Sequence, residues 1–235
     1  MQRPFYPEGC TAHVYLLHPP GGVVGGDRLH VDVSAQNGAS GLITTPGAAK
    51  FYRSEGRVAR VNQRLHVIGD LEWFPQENIF FNASNVVQTT DINVEEKGTL
   101  AYWEINCYGR LAGKQPFVEG CVVTRLSVRR QNRLVFHDRF CVDGQQSLNR
   151  TTGLRGSSVS GMLLLSSLPE ECAQAALTLL SDDPHFSCTC IDDMLVVRYV
   201  GDSAEQAKAV FTQVWSQQRM ALSHRTPCVP RIWST

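Results

Sequence analysis

Ala59-Arg60-Val61-Asn62-Gln63-Arg64-Leu65-His66-Val67 is the stretch on which the fold class turns: Ala59, Val61, Leu65 and Val67 all keep one parity. Side chains of one parity share one face of an extended chain, so this is the signature of a half-buried strand. The pattern occurs upstream in Leu29, Val31 and Val33, and downstream in Ala101, Trp103, Ile105 and Cys107, then in Leu134, Phe136 and Phe140. From Ala12 to about Val200, at least ten such segments are separated by Gly, Asn and Asp. They follow one another too closely to leave room for the crossover helices of βαβ units. The reading predicts a mainly β protein.

Two helices are expected near the C-terminal end. The first spans about Pro169 to Leu180, with Ser167 and Glu170 at capping-box spacing, Pro169 in the first turn, and Ala173, Ala176, Leu177 and Leu180 as its apolar stripe. The second follows Asp202-Ser203, with Ser203 and Gln206 in the same spacing, and buries Ala207, Val210, Phe211, Val214 and Trp215. No repeat of fixed period, low-complexity tract or linker divides the chain, which reads as one domain over residues 1–235.

A chain of 235 residues with 43% hydrophobic and 19% charged content has the composition of a folded protein. Lys and Arg number 22 and Asp and Glu 22, so the long-range field that draws proteins to nucleic acid or anionic membrane is missing. Arg125, Arg129, Arg130, Arg133 and Arg139 alternate with Leu126, Val128, Leu134 and Phe136, which describes the solvated side of a hairpin better than a nucleic-acid footprint. The eight cysteines are scattered through strand-like runs, as reduced thiols in cytosol are. Residues 1–8 lack the basic start and apolar run of a signal peptide, and Gly161 to Leu165 is too short to cross a bilayer. A cytoplasmic protein without membrane or nucleic-acid partners is expected.

Three features could carry chemistry. The segment from His18 through Asp27 sets four glycines around Val23 and Val24; it lacks the Gly-Lys-Ser/Thr of a P-loop and leads into a strand from Arg28 to Ser34. Glycines selected for positive φ or close backbone approach explain it better than a phosphate cradle. Glu72, Glu77 and Glu104 lie among bulky apolar neighbours. A buried carboxylate is costly unless paired, hydrogen-bonded or bound to a cation, and Arg53 or Arg110 are the expected partners in the structural alternative. His185, Cys188 and Cys190 offer an imidazole and two thiols to a borderline metal, although two cysteines facing a core fit the spacing better. No G-x-S-x-G elbow or H-E-x-x-H motif is present.

Gln2 to Pro7, His18 to Asp27, Thr45 to Ser54, Leu71 to Glu77, Trp103 to Ala112, Gly153 to Gly156 and Pro230 to Thr235, in this order and across the whole chain, resemble the UreD (UreH) urease accessory proteins. The resemblance implies an irregular β-helix-like stack of strands with two α-helices toward the C-terminus. It implies a non-enzymatic role: with the F-type and G-type accessory proteins and the urease apoprotein, such proteins assist nickel insertion into the urease active site. Nickel would be transient and no cofactor permanent. Asp27, Glu72, Glu77 and Glu104 become candidate lining for a nickel passage, because weak, releasable binding suits isolated carboxylates better than thiolate chelates. Replacing Glu77 or Glu104 is then expected to lower urease activation without breaking the complex. Arg231 and Trp233 either meet a partner or tuck the terminus onto the core. UreD-like proteins usually carry some tens of residues ahead of the Gln2–Pro7 segment, which predicts missing leading strands and an unpaired sheet edge here. Two other readings compete: a carbohydrate-active enzyme using two of these acids about 5–9.5 Å apart in an aromatic groove, and a passive interaction scaffold.

Overall fold

A computed structural model describes residues 3–18 and 21–234, which leaves Pro19, Pro20 and the ends of the first and last motifs outside the described residues. The expected alternation is realised as strands β1 (Ala12–Tyr15), β2 (Arg28–Ala35), β3 (Ser40–Thr44), β4 (Ala49–Phe51), β5 (Ala59–Val67), β6 (Asp70–Phe74), β7 (Asn78–Phe80), β8 (Asn85–Val94), β9 (Thr99–Arg110), β10 (Gln115–Pro116), β11 (Cys121–Arg130), β12 (Arg133–Asp143), β13 (Val159–Ser166), β14 (Phe186–Ile191) and β15 (Met194–Gly201). One sheet runs β12-β11-β8-β5-β2; the other has the spine β1-β3-β6-β9-β13-β15-β14, with β4, β7 and β10 attached.

Strands β2, β5, β8 and β11 pair in parallel, as do β1, β3, β6 and β9. Parallel neighbours need a crossover, and here the crossover is a strand of the facing sheet instead of a helix. The chain turns from β2 into β3, from β5 into β6 and from β8 into β9, so successive coils stack like a β-solenoid. This is the mainly β, β-helix-like fold that the period-two segments and the resemblance pointed to.

In β8, burial alternates residue by residue, with Val86, Gln88, Thr90, Ile92 and Val94 facing the other sheet. Strand β9 is buried at every position from Leu100 through Gly109, because one face meets the first sheet and the other meets helices. Three apolar clusters follow. One lies between the outer face of the second sheet and the helices, around Phe74, Trp103, Leu163, Phe211 and Trp215. The other two lie between the sheets, one around Leu65, Ile92 and Leu126, the other around Val61, Val86 and Val122. Each buried Leu, Val or Phe contributes about 1.5–3 kcal/mol relative to exposure.

Three α-helices are present among the described residues: α1 (Gly144–Asn149), α2 (Glu170–Leu180) and α3 (Ala204–Ser223). The first has no apolar stripe to announce it. Of the capping box predicted for α3 the N-cap half forms, the Ser203 hydroxyl accepting from the Gln206 N–H at 3.0 Å, while the Tyr199 hydroxyl bridges the other half, accepting from the Ser203 N–H and donating to Gln206 Oε1, each at 3.2 Å. The box predicted for α2 does not form. Ser167 sits at φ 60° and its hydroxyl accepts from Arg130, while Pro169 occupies the cap position with no side-chain bond. Glu170 and Glu171 in the first turn compensate by facing the positive end of the helix dipole.

The glycine-rich segment has the backbone role expected for it. A Cβ at Gly25 would collide with the Ser54 side chain and the Arg57 carbonyl, and Gly26 takes φ 98°. Of the five arginines, Arg125, Arg133 and Arg139 are exposed and Arg129 meets Asp91 at 3.5 Å. Arg130 instead reaches the second sheet and donates to Asp193 at 2.8 Å.

Candidate functional site

The two apolar clusters between the sheets are separated by a layer of polar side chains at matching positions of several strands. Gln88 and Thr90 enter it from β8, Glu104 and Asn106 from β9, Asn78 from β7, and Gln63 from β5. Glu104 is the acidic member at its centre, 9% exposed. Its Oε2 accepts from Gln88 Nε2 at 2.7 Å and from the Tyr102 hydroxyl at 3.2 Å. Its Oε1 accepts from Asn106 Nδ2 at 2.7 Å, and Asn106 Oδ1 in turn accepts from Asn78 Nδ2 at 2.9 Å. Thr90 donates to Gln63 at 3.0 Å, which carries the layer toward the edge of the first sheet. On the far flank, Arg198 donates to Asp138 at 2.7 Å.

Among the described residues Glu104 makes no ion pair; its partners are amides and a phenol. Burial pushes its pKa up, the three hydrogen bonds pull the other way, and the Asp138 charge adds to the rise. The net direction is upward, and burial beside Glu104 likewise holds the Tyr102 hydroxyl well above its ordinary range. A carboxylate so placed competes for a proton or a cation, and a bound cation would displace the proton.

The sign of the pH effect follows. Between the ordinary carboxylate value and the raised one, the folded chain holds a proton that the unfolded chain has lost. Stability therefore falls as pH rises through that window, by about 1.4 kcal/mol for each unit of elevation. Glu104→Gln removes this titration. Its melting temperature should decline less than that of the native protein between the ordinary carboxylate range and neutrality; parallel curves would contradict the assignment.

The other candidate acids lie elsewhere. Glu72, 5% exposed, faces α3 on the opposite side of the second sheet from Glu104. It accepts from Arg219 Nε and Nη2, each at 2.9 Å, and from Trp215 Nε1 at 2.8 Å. Its partner is thus Arg219, not Arg53 or Arg110. Arg219 also grips Glu8, with Nη2 at 2.8 Å from Oε1 and Nη1 on Oε2. Glu77 is half-buried in the turn between β6 and β7, with Lys208 and Cys107 in its field. Asp27 closes a turn by accepting the Val24 N–H at 3.0 Å. Glu72 and Glu104, on opposite faces of one sheet, cannot act as an acid and base pair across one groove.

Trp233 tucks onto the core: its ring lies 4.9 Å from that of Trp103, and its Nε1 donates to Thr44 at 2.9 Å. Lys208 sits over the same ring at 5.3 Å. Arg231 stays exposed. Cys188 packs against the helix-side core while Cys190 is exposed, and burial pushes the Cys188 thiol up to about 11. His185 turns its Nδ1 to the Val200 carbonyl at 3.0 Å.

Reading the sequence by residue type missed Gln88, Asn106, Glu8 and Arg219. Two signals pointed to them: a glutamine at the inward parity of β8, and an arginine four residues after Trp215 on the buried stripe of α3. Either is costly unless a polar partner waits inside.

Comparison with known proteins bears on the same chain from end to end. The family model for the UreD urease accessory protein matches residues 1–234. A urease accessory protein UreD of Alcanivorax borkumensis is 42% identical over 240 residues, covering 100% of this chain and 82% of the relative. Proteins of the same name from Aliivibrio fischeri and Escherichia coli are 37% and 38% identical, each covering 100% of this chain and 87% of the relative. Similarity of this extent to a shared family model and to full-length relatives leads to one conclusion: the chain belongs to the UreD urease accessory protein family.

Proposed function

We propose that this protein is a non-catalytic urease maturation factor, a single cytoplasmic domain that assists nickel insertion together with F-type and G-type accessory proteins and the urease apoprotein. Nickel is its cargo, held transiently, and no resident cofactor is required. Family membership supports the role in urease maturation. The observation that carries the nickel reading is Glu104: a buried carboxylate without a cationic partner among the described residues, surrounded by amide and hydroxyl groups that can rearrange around a passing ion. Oxygen donors bind nickel more weakly than thiolates do, which suits release over storage. Glu77 is the second acid to be tested, because Glu72 is already neutralised by Arg219 and Asp27 is engaged in its turn, whereas Glu77 lies half-buried in a turn near Lys208 and Cys107. Arg231 is the exposed residue of the closing segment offered to a partner.

The test is co-purification with the two accessory partners and the apoenzyme, read out as nickel-dependent urease activity. Glu104→Gln, and Glu77→Ala with Glu104→Ala, should leave the complex intact. Activation should fall by roughly tenfold, equivalent to about 1.4 kcal/mol. Full activation with both acids removed would leave the protein as a scaffold only.

A further inference from the structure

A second group of potential ligands lies away from Glu104, where the two ends of the described chain meet. Phe5 and His13 pair as an antiparallel bridge, with reciprocal N–H to carbonyl bonds of 2.9 and 2.8 Å, so the intervening hairpin presents Glu8 beside His13. Helix α3 ends at His224, whose φ of 56° turns the chain back across the helix end. That turn brings Cys228 to the same point. One ligand atom from each of Glu8, His13 and Cys228 lies within 4.8 Å of the others, and no other such trio of acid, imidazole or thiol groups occurs among the described residues. His13 is 1% exposed, and the Glu8 and Cys228 side chains are partly buried.

We propose that Glu8, His13 and Cys228 form a binding site for a borderline divalent transition-metal ion, zinc or nickel, which staples the N-terminal hairpin to the segment after α3. Carboxylate, imidazole and thiolate are the donor types such ions take in proteins. The hydrogen bonding points the same way. Glu8 is held by Arg219 on one side and by His13 on the other. Binding of an ion would release the proton shared between His13 and Glu8 and that of the Cys228 thiol, and the divalent charge would take their place.

Arg219 does not block the site. Each carboxylate oxygen has two lone-pair directions, and among the described residues Glu8 Oε2 receives an N–H only from Arg219 Nη1. The guanidinium thus orients Glu8 as a positioning residue, while Glu72 offsets its charge. His13 Nε2, now 2.6 Å from Glu8 Oε1, exchanges that hydrogen bond for shared coordination of the ion. The site is independent of the Glu104 passage, so either stands if the other fails.

The full chain is titrated with cobalt(II), and separately with nickel(II), zinc(II) and magnesium(II). Cobalt or nickel should give a thiolate charge-transfer band saturating near one ion per chain. Zinc at roughly 100 times its Kd should raise the melting midpoint by about 5–10 °C. Cys228→Ser, at a partly buried site, keeps the fold but loses the band and the shift. Its affinity should fall by more than the roughly 10- to 100-fold that losing an outer-shell partner costs. His13→Gln should also lose affinity while Cys190→Ser does not. A band that survives Cys228→Ser, no band at all, or equal stabilisation by magnesium would overturn the proposal.

Discussion

Arg219→Met lowers the unfolding free energy by about 3–5 kcal/mol, the usual result of removing one partner from a buried ionic group. Arg219 is 1% exposed and donates to Glu72, Glu8 and the Thr226 carbonyl, so its loss leaves two carboxylates facing each other across a hole. Methionine fills much of the volume, and the deficit therefore reports charge more than cavity. Its pH dependence is the diagnostic. Burial pushes the Glu8 pKa up, but hydrogen bonds and charge from Arg219 and His13 outweigh this and hold it below the ordinary value. A depressed carboxylate stabilises the fold above its ordinary range, and that contribution fades as pH falls through the depressed value. In the variant this contribution is absent, so its deficit should be largest at neutral pH and shrink on acidification. Denaturant midpoints across that range decide it. A deficit that does not change with pH would mean that packing, not charge, is the role of Arg219.

Trp103→Ala is expected to cost about 3–5 kcal/mol, the range for deleting a buried aromatic. Its ring is fully buried, stacks on Phe74 at 4.2 Å and meets Trp233 at a tilt at 4.9 Å, and its Nε1 donates to the Pro75 carbonyl at 2.6 Å. Removing it opens a cavity under α3, strands a carbonyl and takes away the surface on which the C-terminal tryptophan sits. Besides the lower denaturant midpoint, trimming by a carboxypeptidase should accelerate, because Trp233 loses its nearest ring partner. Unchanged trimming would mean that Phe74, Trp215 and the bond to Thr44 hold the terminus without it.

Local regularities were legible where local physics decides. The alternation in Ala59–Val67 survives as β5 because a strand with one buried face must place every second side chain inward. The Ser203–Gln206 cap forms because both partners lie within one turn. The Ser167–Glu170 spacing looked the same and failed, since Arg130 from a different sheet takes the Ser167 hydroxyl. For the candidate site, apolar neighbours marked Glu72 and Glu104 as buried acids. Which of them stays free of a cation was not visible, because Arg219 lies 147 residues from Glu72 in the chain.

The amino-acid sequence by itself determined the strand periodicity, the two longer helices, the backbone task of the glycines around Val23 and the family to which the chain is similar. All of these rest on interactions between near neighbours or on motif order. Only the tertiary structure decided that Glu72 is neutralised while Glu104 is not, that Trp233 packs inward, and that Glu8, His13 and Cys228 converge. A coiled stack of parallel strands brings together residues from distant turns and both ends of the chain, and the charge that a buried group meets is set by those distant partners.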